Sequence, residues 1–421
     1  MVMDTNLWRT SAAETFSSGP LDCALDADLV IVGGGFTGCS AALQARELGA
    51  EVCVIEAETV GHGGSGRNAG LVNAGLWLPP DEVEHALGKP EGERLNRALA
   101  AGPDLVFDLI EKHAIKCEPT RNGTLHCAHG PTGWSDLNNR YEQQVARGAP
   151  VTLLSAEEAR ERTGSAAIFG ALHDARAGTI QPRAYCRGLA RAAAAAGAKI
   201  FEKSPVVAIR RDGEGWIVST AKGSVRAKAM LCATNAYHQD FDGMERPQTV
   251  GVNYFQLATK PLKGNLLNMV LPGREGCWDT APVMSSFRMD QAGRFIVGAV
   301  GALDKIGEDV HAGWARRKMA KLFPLLAEMP LEHAWYGRIA MTDDHIPKIL
   351  SLGPDGYAVF GYSGRGISPG TTFGRAIANA LLRNDNEGLP VSPVDRYDVR
   401  YAKMRERYYE LGATLTHLVS R

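Results

Sequence analysis

None of the eight cysteines in this chain is paired as C-x-x-C, and none stands at zinc-ligand spacing, which excludes a zinc ribbon or finger. Several thiols sit inside apolar runs, Cys53 in EVCVIE and Cys232 in AMLCATN, and are expected as buried free thiols of a reducing compartment. Charge of one sign is also missing. The 46 Lys and Arg nearly balance the 47 Asp and Glu, so the net charge of −1 steers no polyanion and nucleic acid is not an expected partner. No run approaches the ~18 apolar residues of a membrane span. Residues 1–19 lack the basic start and apolar centre of a secretory signal. A cytoplasmic protein is expected, with peripheral membrane contact left open. Internal repeats and low-complexity tracts are absent.

What is present is glycine, 47 residues in 421, which points to tight turns and close backbone approach to a ligand. The length predicts two structural units, or one large α/β unit with an insertion. Residues 1–26 read as a polar lead-in. Asp28–Val32 is a short β-branched run, a helix is predicted from Thr37 to Leu48, and Glu51–Ile55 is a second apolar run. Together they make a β-α-β unit, whose crossover must be right-handed in a parallel sheet. Residues 61–76 form a glycine-dense loop. Helices are predicted through 81–115, at 136–147 and 155–163, and from Tyr185 to Ala196. A short strand pair is expected within 118–130. Strands are expected at Pro205–Arg211, Gly215–Thr220, Ser224–Lys228 and Met230–Ala233, the first two joined by a hairpin. Residues 250–300 alternate apolar and polar, as an antiparallel sheet with one covered face does. A strand at 355–360, a helix from Thr371 to Leu382 and a helical tail from Asp395 to Leu411 complete the reading.

Three glycine motifs carry chemistry. Gly33-Gly-Gly35-Phe-Thr-Gly38 matches G-x-G-x-x-G between a strand and a helix, where a dinucleotide diphosphate meets the helix N-terminus. Glu56 closes the second strand 21 residues after Gly35, where a carboxylate accepts ribose hydroxyls and repels a 2′-phosphate. The second motif, Ser65-Gly-Arg-Asn-Ala-Gly70, offers hydroxyl, guanidinium, amide and backbone N–H donors suited to the far end of a flavin nucleotide. The third, Gly361-Tyr-Ser-Gly-Arg-Gly-Ile-Ser-Pro-Gly370, repeats the glycine-turn-to-helix pattern, and its helix start would favour negative charge on a reduced flavin.

On VGGGFTG, GSGRNAG and GYSGRGIS, the chain resembles the FAD-dependent D-amino acid oxidase and glycine oxidase superfamily over residues 25–385. Within it the motifs are most similar to bacterial γ-glutamylputrescine oxidase-like enzymes, with L-pipecolate oxidase-like proteins next. The resemblance implies an α/β fold: a Rossmann-like FAD-binding domain of the glutathione reductase type, interleaved with a mostly antiparallel α+β substrate domain. Residues 27–85, 150–245 and 335–385 are expected in the first, 86–149 and 246–334 in the second, and 386–421 in a C-terminal helical tail. It also implies non-covalent FAD and no metal. The expected reaction is hydride transfer from a small amine or amino acid to flavin N5, giving an imine that hydrolyses, with oxygen or a quinone or other electron carrier as acceptor.

Carried over by motif, Gly33, Gly35, Phe36, Thr37, Gly38, Glu56 and Ala57 hold the ADP half. Ser65, Gly66, Arg67, Asn68, Ala69, Gly70 and Leu71 line the flavin region. Val207 offers its backbone to the adenine, and Ala233, Thr234 and Asn235 form the second strand-end motif. Gly337, Gly364, Arg365, Gly366 and Ile367 approach the ring. Tyr254, Arg288 and Arg365 are candidate substrate contacts, with Phe255 and Trp278 as further candidate walls and His62 and His345 flanking the motifs. No catalytic base is assigned.

The chain departs from the family where its amino-acid oxidases often place a carboxylate-clamping arginine, four residues after a tryptophan. Here Trp335 is followed at that distance by Ile339, and Arg338 stands one place early, which on a strand turns the side chain to the other face. Competing readings are a D-amino acid or sarcosine-type dehydrogenase passing electrons to a quinone, a flavin-free NAD dehydrogenase, and a non-enzymatic flavoprotein subunit.

Overall fold

The β-branched run at 28–32 is the inner end of a longer strand, Ala24–Val32, whose last four residues are buried on both faces. That burial is why the run reads as continuous apolar sequence. In the computed structural model, described for residues 5–304 and 306–419, this strand lies at the centre of a sheet. Its neighbours are Ser224–Cys232 on one side and Val52–Ile55 on the other, both parallel to it. Gly356–Phe360 and Lys199–Phe201 extend the parallel set outward, with Lys348–Gly353 antiparallel at one edge. The hairpin of Val206–Asp212 and Gly215–Thr220 attaches to Ser224–Cys232. Helices Phe36–Glu47, Pro182–Ala195 and Ile367–Arg383 cover this sheet, and Ala41, Ala42 and Leu43 of the first share a core with Leu189 of the second and Ile377 of the third.

A second eight-stranded sheet runs in the order 331–341, 250–261, 294–300, 285–289, 276–279, 124–127, 171–174, 151–154. It is antiparallel throughout except where Gly276–Asp279 lies parallel to Thr124–Cys127. The architecture is the expected interleaving of a Rossmann-like half with an antiparallel half.

Several local expectations are corrected. The lead-in is packed: Leu7–Ser11 is helical, and Leu7 and Trp8 are fully buried beside Trp335. Residues 118–130 hold one strand, Thr124–Cys127, because its partners come from 171–174 and 276–279. Ser224–Lys228 and Met230–Ala233 form a single strand, Ser224–Cys232, whose first half pairs with the hairpin and second half with the core. The late helix starts at Ile367, four residues early, taking in part of the third glycine motif. The tail helix is Ala402–Val419, not 395–411.

Strand membership also departs from the expected segmentation. Val151–Leu154, Ala171–Asp174 and Leu331–Met341 belong to the antiparallel sheet. Leu95, Leu99, Val106 and Ile110 of the helices spanning 89–112 bury themselves in the dinucleotide-half core. Apolar periodicity reports that these segments bury a face, and it is silent on which sheet receives it. Seven of the eight cysteines are buried and unpaired, and Cys23 is exposed. No helix among the described residues is long and apolar enough to cross a membrane.

Candidate functional site

The three glycine motifs converge on one cavity of about 1110 Å³ between the two sheets. Its first wall is the turn after Val32. Gly33 has φ +109°, and a Cβ there would meet the Ala233 carbonyl at 2.9 Å. Gly38 lies behind the wall, where its missing side chain lets the helix seat on the Gly33 carbonyl. Helix Phe36–Glu47 therefore presents its N-terminus to the cavity. Ser65 Oγ accepts the Phe36 N–H at 3.0 Å, while the Thr37 amide meets no protein acceptor among the described residues. That is the donor arrangement a diphosphate uses.

Glu56 marks the neighbouring end. Its two carboxylate oxygens accept from the Gly34 N–H at 2.7 Å and the Glu58 N–H at 3.0 Å. Burial pushes its pKa up, against those two hydrogen bonds. Beyond it the wall is Ala57, Ser204, Val206 and Phe241. Val207 is outside it: its side chain is half exposed and its carbonyl accepts the Asp242 N–H, because on a strand only every second side chain faces inward.

The loop from Gly64 to Gly70 is built to show donors inward. Its carbonyls are taken from behind: Gly64 and Ser65 by the Asn68 amide, Gly66 by Asn6 at 2.9 Å, Arg67 by Gln256 and Trp335, and Asn68 by Trp8 at 2.8 Å. With the carbonyls committed, the amides of Asn68 and Ala69 are left for the cavity, which both residues line. Arg67 is fixed by its own donations to the carbonyls of His62 and Tyr336. Gly66 and Gly70 sit behind the wall, packed on the Gly61 and Ile180 carbonyls.

Opposite this loop, Gly364, Arg365, Gly366, Ile367 and Ser368 bring in the N-terminus of the 17-residue helix Ile367–Arg383. Asn235 accepts the Gly361 N–H at 3.0 Å, and Tyr362 and Thr37 share a 2.8 Å hydrogen bond, so the first and third motifs are tied together. Ala233, Thr234, Asn235, Leu71 and Gly337 also line the cavity.

The remaining space is faced by Trp77, Tyr254, Trp278, Met284, Ile339 and Arg365. Tyr254 is held by Ser286 at 2.8 Å and by the Gly298 carbonyl at 3.0 Å. Trp278 stacks on His126 with ring centroids 3.4 Å apart, and the Arg365 guanidinium lies over the same indole at 4.3 Å. Arg365 donates to the Ala74 carbonyl at 3.2 Å and has no carboxylate partner among the described residues. Burial, with the nearby Arg140 cation, holds its pKa below the ordinary guanidinium value. The Trp278 indole N–H is buried with no acceptor, as is the Ser368 hydroxyl. Orphaned donors at a cavity wall fit a bound polar group.

Arg288 is corrected. It is buried away from the cavity, and its guanidinium donates to the carbonyls of Ile180 at 2.7 Å and Gly70 at 3.1 Å, with Trp8 alongside. Phe255 is core. His62 and His345 line the cavity, each with its pKa lowered by burial. Ile339 and Arg338 both line the cavity, the Arg338 guanidinium paired with Glu406 of the C-terminal helix at 2.8 Å. Trp77, Arg140, Ser286 and Tyr362 were not foreseen, and neither was the tail, which lines the mouth through Tyr408, Leu411 and Leu415. Of these only Tyr362 stands in a glycine motif; no local signal marked the others.

The family described as FAD dependent oxidoreductase (DAO) matches residues 28–380. A probable oxidoreductase OrdL of Rhizobium meliloti is 30% identical over 363 residues, covering 86% of this chain and 84% of that one. The gamma-glutamylputrescine oxidoreductase of Escherichia coli is 30% identical over 386 residues, covering 89% of each. The crystal structure of glycine oxidase from Geobacillus kaustophilus superposes with a TM-score of 0.71 at 22% identity, covering 89% of this chain and all of that one.

Proposed function

The chain belongs to the DAO family of FAD-dependent oxidoreductases, enzymes acting on the C–N bonds of amines and amino acids, and on that premise we propose that its substrate is a small amine carrying a carboxylate, gripped by Arg365. The observation that carries the reading is the Arg365 guanidinium, held on the Trp278 face at the cavity wall with no carboxylate of its own. A buried cation without a counter-ion is costly, and an incoming carboxylate relieves it through charge-assisted hydrogen bonds. Arg365 thus takes the role left open by Ile339. γ-Glutamylputrescine-like amines and pipecolate-like cyclic amino acids both carry such a group.

The chain's donors fit FAD. Glu56 would hold the ribose, the helix start at Phe36 and Thr37 the diphosphate, and the amides of Asn68 and Ala69 the ring. When bound, FAD supplies the hydride acceptor for the substrate C–H bond. The start of helix Ile367–Arg383 favours negative charge developing near it. The apolar faces of Trp77, Tyr254, Trp278 and Met284 disfavour an ammonium, so the amine loses its proton on entry and the chemistry needs no protein base. Arg365 fixes the orientation from the far group, and orientation is where the rate gain arises. The oxidised substrate leaves as an imine, which water hydrolyses.

The test is anaerobic mixing of the flavin-loaded protein with γ-glutamylputrescine, putrescine, pipecolate and piperidine, following flavin bleaching. The carboxylate-bearing member of each pair should bleach at lower concentration. Arg365→Gln should raise the apparent KM for those members roughly 10- to 100-fold, the loss of one charged hydrogen-bonding partner, and spare the others. Equal bleaching by both members of each pair would sink the carboxylate grip, and no bleaching by any would sink the amine reading.

A further inference from the structure

The C-terminal helix Ala402–Val419 fastens one side to the protein and leaves an apolar stripe on the other side uncovered. Its inner side is fastened at three points. Glu406 accepts the Gly251 N–H at 2.8 Å, Glu410 accepts the Ala302 N–H at 2.9 Å, and His417 meets His311 at 2.7 Å between their Nδ1 atoms. Ala413 and His417 are buried there. The outer side carries Met404, Tyr408, Leu411, Leu415 and Leu418, each between 57% and 74% exposed. Their spacing alternates three and four residues, the a/d seam of a coiled coil. A contiguous exposed apolar stripe of this size on a monomer marks an interface.

We propose that the occupant is a second copy of this chain, packed helix on helix about a two-fold axis near Leu411. Five large apolar side chains, each more than half exposed, present an area on the order of the ~800 Å² that one partner contributes to a standard interface. The seam is narrow, two positions in seven, as a partner helix requires, whereas a helix lying in lipid shows a broad apolar face. Gly412 flanks the seam with open space around its missing Cβ, where a second backbone can come close. Both carboxylates of the helix are turned inward, so Lys403 and Arg407 are its exposed charges. An antiparallel pairing sets them against the uncharged second half of the other copy, and it packs Tyr408 against Leu415 rather than tyrosine on tyrosine. A parallel pairing would gather four cations at one end. Because Tyr408, Leu411 and Leu415 also line the cavity mouth, the second copy narrows the entrance to the cavity. This inference is independent of the carboxylate reading.

Sedimentation velocity of the flavin-loaded protein at micromolar concentration should show a dimer. Leu411→Glu/Leu415→Glu should be monomeric with flavin content retained, whereas Leu325→Glu, at an exposed leucine elsewhere, should remain dimeric. In a Cys23→Ser background, which removes the one exposed thiol, Leu411→Cys should cross-link on mild oxidation and Met404→Cys should not. A monomeric wild type would overturn the proposal, and so would a dimer indifferent to the double charge. Sedimentation of a monomer with phosphatidylserine vesicles would assign the stripe to a lipid surface instead, and cross-linking at Met404 equal to that at Leu411 would overturn the antiparallel arrangement.

Discussion

The indole N–H of Trp8 donates to the carbonyl oxygen of Asn68 at 2.8 Å, joining two residues sixty positions apart. One belongs to the opening segment, the other to the loop whose amides face the cavity. The hydrogen bond turns the Asn68 carbonyl away from the ligand space. Trp8→Phe keeps the ring packing against Trp335 and removes only the donor. It should lower unfolding free energy by about 1–3 kcal/mol, the range for a buried acceptor left unsatisfied, and quicken FAD loss. Urea unfolding and flavin release by gel filtration check both. An unchanged release rate would detach Trp8 from the cofactor loop.

Gly35 has φ −90°, a conformation open to any residue, so a side chain there leaves the fold intact. Its Cβ would stand 2.9 Å from Ser65 Oγ, the group that holds the Phe36 amide. Gly35→Val should therefore yield a folded, pale protein. FAD affinity should fall tenfold or more, about 1.4 kcal/mol at least. The ratio of bound flavin to protein, read beside circular dichroism, decides it.

Glu56 gives FAD retention a pH dependence. Burial raises the pKa of its carboxyl in the ligand-free protein, which weakens the charged form. Ribose hydroxyls donate to the charged form, so binding favours ionisation. FAD affinity should rise with pH until the raised pKa is passed and then level off, and it should fall as the solution is acidified through that pKa. Glu56→Gln should flatten this profile and bind more weakly at neutral pH. Titrations of FAD binding across pH would show it, and a wild-type profile as flat as the variant's would remove Glu56 from the ribose site.

Arg288 and Arg365 should fail differently. Arg288 braces the Gly70 and Ile180 carbonyls from inside the protein. Arg288→Met should cost about 1–3 kcal/mol of stability while leaving the KM of the folded fraction in place. Arg365→Met should do the reverse, raising KM with little change in denaturant midpoint. A large KM shift on losing Arg288 would return that residue to the substrate site.

The β-α-β unit, the glycine turn and Glu56 were legible because each is local. Gly38 seats on the Gly33 carbonyl and Glu56 accepts the Gly34 N–H, contacts made within one β-α-β unit, and a pattern of that range survives in the sequence. The hairpin at 206–220 and the helix at 182–195 were legible for the same reason.

The substrate end was not legible in that way. Arg288 and Arg365 are both arginines beside apolar strands or turns, and nothing local tells a brace from a ligand. The difference lies in which carbonyls and which indole the fold brings to them, from positions 70, 180, 74 and 278. Trp8 read as lead-in because burial by Trp335 is a fact of tertiary packing.

The sequence by itself determined the dinucleotide half and its cofactor class, because a diphosphate needs backbone without side chains and glycine spacing records that need directly. Only the tertiary structure decided which arginine faces the cavity, where the sheets divide the chain, and that the tail reaches the cavity mouth. Those outcomes depend on contacts between distant segments, and a contact between distant segments leaves no period or spacing to read.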